Sequence, residues 1–295
     1  MFGFLSKLRG TGSVAVFALL YLPLLPGQTA PSANTGWRPL FDGKSLAGWT
    51  TYLAKPHASV QIPGEPRNAK GEYLGPIGEH RDPTQVFGVV TLDGENVIRI
   101  SGEIFGAITT TESFSNYRVR LEMRWGEKKW EPRLKLRRDS GLLYHAHGPQ
   151  GAEGAWMKSI ETQIQEHDCG DLWAVGAQAT ARSVPMGEKD RIYDPNGEPF
   201  VFGIPKQLRR CVKEADHEKP HGQWNEIEVV CFGDRSWHLV NGKVVLRLTD
   251  LRSRLDGVIA PLQEGQLQIQ SEGAELYVRK VEILPLATLP VEFID

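Results

Sequence analysis

Cysteine is scarce in this chain, with three in 295 residues: Cys169, Cys211 and Cys231. No spacing among them fits a zinc site, and three cannot build the bridged framework of a small secreted domain. An odd count admits one disulfide. Cys211–Cys231 is the favoured pair, because Cys211 lies in a loop facing a strand start; three buried thiols fit equally well. Long apolar runs are missing beyond residue 30, so no membrane span is expected in the mature chain. Basic excess is missing too: 34 Lys and Arg stand against 36 Asp and Glu, a net charge of −2. Nothing in that balance points to nucleic acid, whose partners carry a basic face. Internal repeats, low-complexity tracts and an apolar period of 3.6 sustained over three turns are also absent.

What is present begins with a leader. Lys7 and Arg9 form a short basic region, Ser13–Leu25 is apolar but too short to span a bilayer, and small and polar residues follow from Gly27 to Thr35. That layout is a secretory signal, with cleavage after Ala30 or Ala33. Residues 1–33 are therefore read as signal and short linker, and 36–295 as one domain of an exported protein, periplasmic or extracellular. Removing Lys7 and Arg9 moves the net charge from −2 to −4.

Period-two alternation dominates the rest. In Tyr117–Trp125 the apolar Tyr117, Val119, Leu121, Met123 and Trp125 are separated by Arg118, Arg120, Glu122 and Arg124. That is a strand with one buried and one wet face. Val97–Ser101, Gly106–Thr111, Gly141–His147, Ile160–His167 and Trp224–Cys231 read likewise. Ser236–Thr249 is a hairpin turned by Asn241-Gly242, a pair suited to positive φ. Gly265–Ser271 and Glu275–Leu286 close the domain around Glu272-Gly273. With 31 glycines and 19 prolines, many short strands imply an all-β sandwich or barrel, and a sandwich of two antiparallel sheets is the expected fold. Ala54–Thr84 and Val184–Pro220 break the rhythm and are read as long loops rimming a site.

Three constellations carry candidate chemistry. On the Ile160–His167 strand, alternation puts Glu161, Gln163, Gln165 and His167 on one face and Ile160, Thr162, Ile164 and Glu166 on the other. An acid, two amides and an imidazole in a row suit a sugar groove, where amides bond hydroxyls and Glu161 moves a proton; a solvated face without function is the alternative. His145 and His147, at i and i+2, would share a face and suit a divalent metal if a third ligand came from Glu161 or His167. Asp168 or Asp171 would serve a harder ion, and histidines satisfied by hydrogen bonds are the plainer reading. Third, Trp130, Trp156, Trp173 and Tyr144 lie in or beside these segments, and their rings can stack on sugar faces. Trp125 and Trp224 are expected in the core.

The motifs in order resemble one family. Leu40–Trp49 (LFDGKSLAGW), Asp139–His145 (DSGLLYH), Ile160–Glu166 (IETQIQE), Gly222–Asn225 (GQWN), Val240–Gly242 (VNG) and Gly265–Gln270 (GQLQIQ) are similar to the signatures of the 3-keto-disaccharide hydrolases. Asp139 stands where the family usually has Asn, and His145 where many relatives have Arg. The resemblance implies a concanavalin-like jelly roll and cleavage of glycosides already oxidised at C3. A two-carboxylate glycosidase of this fold would need acids at the positions that Gln163 and Gln165 occupy. A 3-keto sugar needs less: its ketone acidifies the C2 hydrogen, so one base can start elimination at C1, with water adding afterwards. The base would be Glu161 or a histidine, His145 or His167. The enolate would be held by a metal or Arg138, and the sugar by Gln163, Gln165, Tyr144, Arg138, Asp139, Trp156 and Trp173. A lectin-like binding module and a structural exoprotein are the rival functions.

Overall fold

The computed structural model describes residues 36–203, 208–255 and 257–294. The leader expected over 1–33 lies outside them. Gly36–Asp295 clusters as one unit. Its strands form two antiparallel sheets, one of twelve strands and one of nine. This is the all-β architecture that the alternation implies and the concanavalin-like jelly roll that the resemblance implies. The only helical segment among the described residues is a three-residue 3-10 turn, Val291–Phe293. None of these residues forms a helix long and apolar enough to cross a membrane.

The larger sheet is centred on Tyr117–Lys129, which pairs with Asn225–Phe232 on one side and Ala274–Pro285 on the other. Its inward residues Val119, Leu121 and Met123 are completely buried, and the arginines between them face out. The smaller sheet runs Leu172–Val175, Lys158–Gln165, Asp139–His147, Glu264–Ser271, Gly106–Thr110, Trp49–Leu53. Leu142, Ile160, Ile164 and Ile269 point from it into the shared core. Burying each such side chain stabilises the fold by about 1.5–3 kcal/mol. Because strands alternate, these four residues dictate that their neighbours Gly141, Glu161, Gln163 and Gln268 lie on the other face of the sheet.

Asn241 takes the positive φ its hairpin turn requires. The segment Val184–Pro220 is more ordered than its composition implies: Asp190–Tyr193, Glu198–Phe202 and Arg210–Cys211 are strands within it. Cys211 and Cys231 do not pair. Cys231 sits in the larger sheet opposite Tyr117, Cys211 at the edge of the smaller one opposite Leu172, and all three thiols are buried and free. Trp224 is not a core residue either. It lies half-buried on the outer face of the larger sheet, between the guanidinium groups of Arg279 and Arg124 at 4.1 and 5.0 Å from its ring.

Candidate active site

The polar face of the smaller sheet gathers its groups by register. Glu161 stands opposite Leu143 on one side and Trp173 on the other; Gln163 is opposite Gly141 and Gln165 opposite Asp139. The next strand adds Gln268, opposite Leu143, and Gln270 beyond it. Gly141 is essential to this packing for the room it leaves. A Cβ there would stand 2.3 Å from Glu161 Oε1 and 2.6 Å from Gln270 Oε1. The absent side chain is the space into which the acid and the amide lean.

Two residues from outside the strands complete the cluster. Arg133, in the loop after Tyr117–Lys129, ion-pairs with Asp139 and also with Glu272 at 3.3 Å. Gln165 Nε2 donates to Asp139 Oδ2 at 2.5 Å. Two carboxyls thus share one guanidinium, and the charges of both act on a third, Glu161. Burial, then the charges of Glu272 and Asp139, holds Glu161 well above its ordinary value of 4.5, against the opposing pull of Arg209 and a hydrogen bond from Gln270. Burial and the Asp139 charge push Glu272 up to about 8, and burial pushes Asp139 up to about 6 despite Arg133. Protons are therefore shared within this cluster at neutral pH, as desolvation and like charge require. Asp139 Oδ1, Gln270 Oε1 and Arg133 Nε are buried without a hydrogen-bond partner. Two acceptors and a donor are thus unpaired within one buried cluster, a polar deficit that a partner reaching it would satisfy.

Of the residues singled out in the sequence, the structure brings together Glu161, Gln163, Gln165, Asp139 and Trp173. It separates the others. A bulge with positive φ at His145 turns that ring inward, where it meets Tyr117 and Tyr144 edge-on at 5.7 and 5.5 Å. Burial holds its pKa down to about 3, so it stays neutral in the core. Tyr144 is a core residue too, its hydroxyl bonded to Ser236 Oγ at 2.6 Å and His238 Nε2 at 2.9 Å on the opposing sheet. His167 falls past the strand end, exposed on a positive-φ turn beside Asp216. Arg138 is occupied by Glu166 and by the carbonyl of Gly126.

The metal candidates do not converge. His147 is held by the carbonyl of His145 at 2.9 Å and Ser253 Oγ at 2.8 Å. Asp168 pairs with Arg137 and Arg210, and Asp171 with Arg210 and Lys213. Among the described residues no three His, Cys, Asp or Glu side chains are placed to hold an ion. Trp156 is displaced from the polar row into a neighbouring cleft of about 600 Å³, stacked with Phe105. That cleft adjoins the cluster through the chain: Pro132, in its wall, precedes Arg133, and Trp156 precedes Met157, whose N–H donates to Gln268 Oε1 at 3.0 Å.

Glu272 and Arg133 are the residues that sequence reading misses. Glu272 reads as a turn residue before Gly273, and Arg133 sits in a loop without periodicity. Gln268 and Gln270 do carry a signal, since Gln266, Gln268 and Gln270 recur at every second position.

Comparison with known proteins agrees with this picture. The family described as the 3-keto-alpha-glucoside-1,2-lyase-like domain matches residues 36–284, and the chain belongs to it. No curated protein matches the chain. Among solved structures, one from Parabacteroides distasonis described as a “putative glycosyl hydrolase” is 18% identical, with 85% of this chain and 94% of that one covered and a TM-score of 0.46. The carbohydrate-binding module CBM66 from Bacillus subtilis is 13% identical over 66% of this chain and 89% of its own, with a TM-score of 0.38. A legume lectin-like domain from Entamoeba histolytica is 10% identical over 68% and 88%, with a TM-score of 0.37. The family match, rather than these distant likenesses, places the chain among carbohydrate-active proteins.

Proposed function

We propose, starting from membership in that family, that the protein cleaves 3-keto-glycosides by base-initiated elimination, with Glu161 as the base. One observation carries this reading: a buried carboxyl on the polar face of the smaller sheet, held up by burial and two acidic neighbours, in a row that otherwise offers amides. A carboxylate whose pKa is raised toward the working pH is a better proton acceptor than an exposed one. In the proposed step Glu161 takes the C2 hydrogen as a proton. The C2–H electrons form the enolate with the C3 ketone. They then form the C1–C2 double bond as the C1–O bond breaks, and the leaving oxygen receives a proton. Glu272, raised by burial and by the Asp139 charge, is suited to donate it. Addition of water at C1, with C2 reprotonated, gives net hydrolysis. The buried, unpartnered oxygens of Asp139 and Gln270 and the Nε of Arg133 are the proposed partners of the sugar hydroxyls and the ketone.

Incubation of the purified protein with a panel of 3-keto-glycosides, with and without chelator, tests the proposal. Release of the aglycone is expected. Saturable binding without any product would instead favour a lectin-like role for the same face. The protein is further proposed to act outside the cytoplasm; N-terminal sequencing of the mature form is expected to start between residues 28 and 36.

A further inference from the structure

We infer that the cleft beside the acid cluster is a subsite for a positively charged, amine-bearing leaving group; this rests on the glycoside cleavage proposed for Glu161. The cleft has two kinds of wall. Phe105 and Trp156 are stacked, with ring centroids 6.4 Å apart and planes 26° from parallel. Around them stand Glu103, Glu131 and Glu153, with Lys55 as the one fully charged cation lining the space. Glu103 and Glu153 are half-buried, yet neither their carboxylates nor that of Glu131 has an ion-pair or hydrogen-bond partner among the described residues.

On the larger sheet some glutamates are matched to arginines, as in Arg118–Glu228 and Arg120–Glu282; what sets the cleft apart is that its unpaired carboxylates share one concave space with two stacked rings. Three carboxylates against one ammonium leave the cleft with an excess of negative charge. Aromatic faces attract cations through their quadrupole, and more strongly when water is excluded. A protonated amine set between indole and carboxylate satisfies both walls at once. A neutral sugar or phenyl ring would leave the carboxylates unmatched, and an anion would be repelled. The position fits a leaving group. The wall at Pro132 continues into Arg133, and Trp156 leads through Met157 to Gln268, so a C1 substituent leaving a sugar over Glu161 has this cleft as its neighbour.

The probes are two glucosides of one anomeric form, unoxidised and hence not cleaved by the proposed route: 4-(aminomethyl)phenyl and 4-(hydroxymethyl)phenyl glucoside. Their affinities for the full-length mature protein are measured by calorimetry at low and high salt. The amine is expected to bind about five-fold more tightly at low salt, with the advantage shrinking as salt screens the exposed charges. Glu103→Gln with Glu153→Gln should abolish the advantage while leaving the neutral probe's affinity unchanged, and Lys55→Met should enlarge it. Equal affinities, preference for the neutral probe, no binding of the amine, or an advantage that survives the double substitution would overturn the inference. The two readings separate cleanly in turnover. Cleavage of 3-keto forms of both probes without amine preference refutes this inference alone. Absence of cleavage with either refutes the assignment of Glu161, and with it the leaving-group role of the cleft.

Discussion

The outward faces of the two sheets use the same residue types to opposite ends. On the larger sheet, acids and bases meet across strands: Arg99 meets Glu275 at 2.9 Å, Arg118 meets Glu228 at 2.6 Å, and Arg120 meets Glu282 at 2.8 Å. Burial alone would raise Glu122, but hydrogen bonds from Lys280 and Arg279 outweigh it and hold the carboxyl below its usual value. On the smaller sheet, Arg133 is shared between Asp139 and Glu272, Glu161 stands close by, and all three acids are pushed up. A satisfied ladder of cross-strand pairs supports a sheet and fixes its register. An under-matched cluster raises the energy of the charged forms and leaves protons ready to move. The contrast separates a face of paired charges from an under-paired one, on which the proposed chemistry is placed.

The contrast is broken most sharply by Glu161→Gln. The substitution keeps the volume and one acceptor oxygen but removes the base, so turnover of a 3-keto-glycoside should fall about 10²–10⁴-fold. Thermal stability should hold, because the carboxyl it replaces is already disfavoured as a charge. Next comes Gly141→Ala, which puts a methyl where the Glu161 carboxyl lies. Displacing a reacting group by an ångström can cost about 10²-fold, and overpacking adds about 1–3 kcal/mol of destabilisation. A falling kcat and a lower Tm are expected together.

Asp139→Asn sharpens the electrostatic half of the argument. The Asp139 charge is one of the causes raising Glu161 and Glu272. Removing it lowers both, so the acid limb of the kcat/KM profile should move to lower pH, by about one unit or less. In the wild type that limb is expected well above the ordinary carboxylate range, with activity rising with pH as Glu161 loses its proton. A pH–rate profile of the two proteins decides the sign. The smallest effect belongs to the scaffold face. Arg120→Gln removes a half-exposed pair and should cost less than about 1 kcal/mol, read from chemical denaturation, with turnover unchanged.

Much of this was legible in the chain because strands repeat every second residue. The alternation of Tyr117–Trp125 placed a strand that extends to Lys129, and the same rule put Glu161, Gln163 and Gln165 on one face. The rule fails where the backbone departs from it. At His145 a positive φ turns an expected groove residue into the core, and at His167 the strand has already ended. Tyr144 was misplaced for a different reason: a ring beside a polar motif attracts a binding role, whereas its alternation with Leu142 already assigned it inward. Arg133 and Glu272 were invisible because their roles come from two loops meeting across the sheet, a proximity that no local period encodes. The buried pairing of Cys211 with Cys231 failed on topology, since the two lie in different sheets.

The central claim is that Glu161 removes the C2 hydrogen of a 3-keto sugar. Proton NMR of a 3-keto-glucoside held in deuterium oxide with the protein follows that bond directly. With wild-type protein, deuterium should appear at C2 in recovered substrate or in the hydrolysed 3-keto sugar, faster than in the protein-free control. With Glu161→Gln, incorporation should drop to the control rate. Release of the aglycone by wild-type protein with the C2 hydrogen fully retained, or undiminished exchange in the Gln variant, would contradict the account.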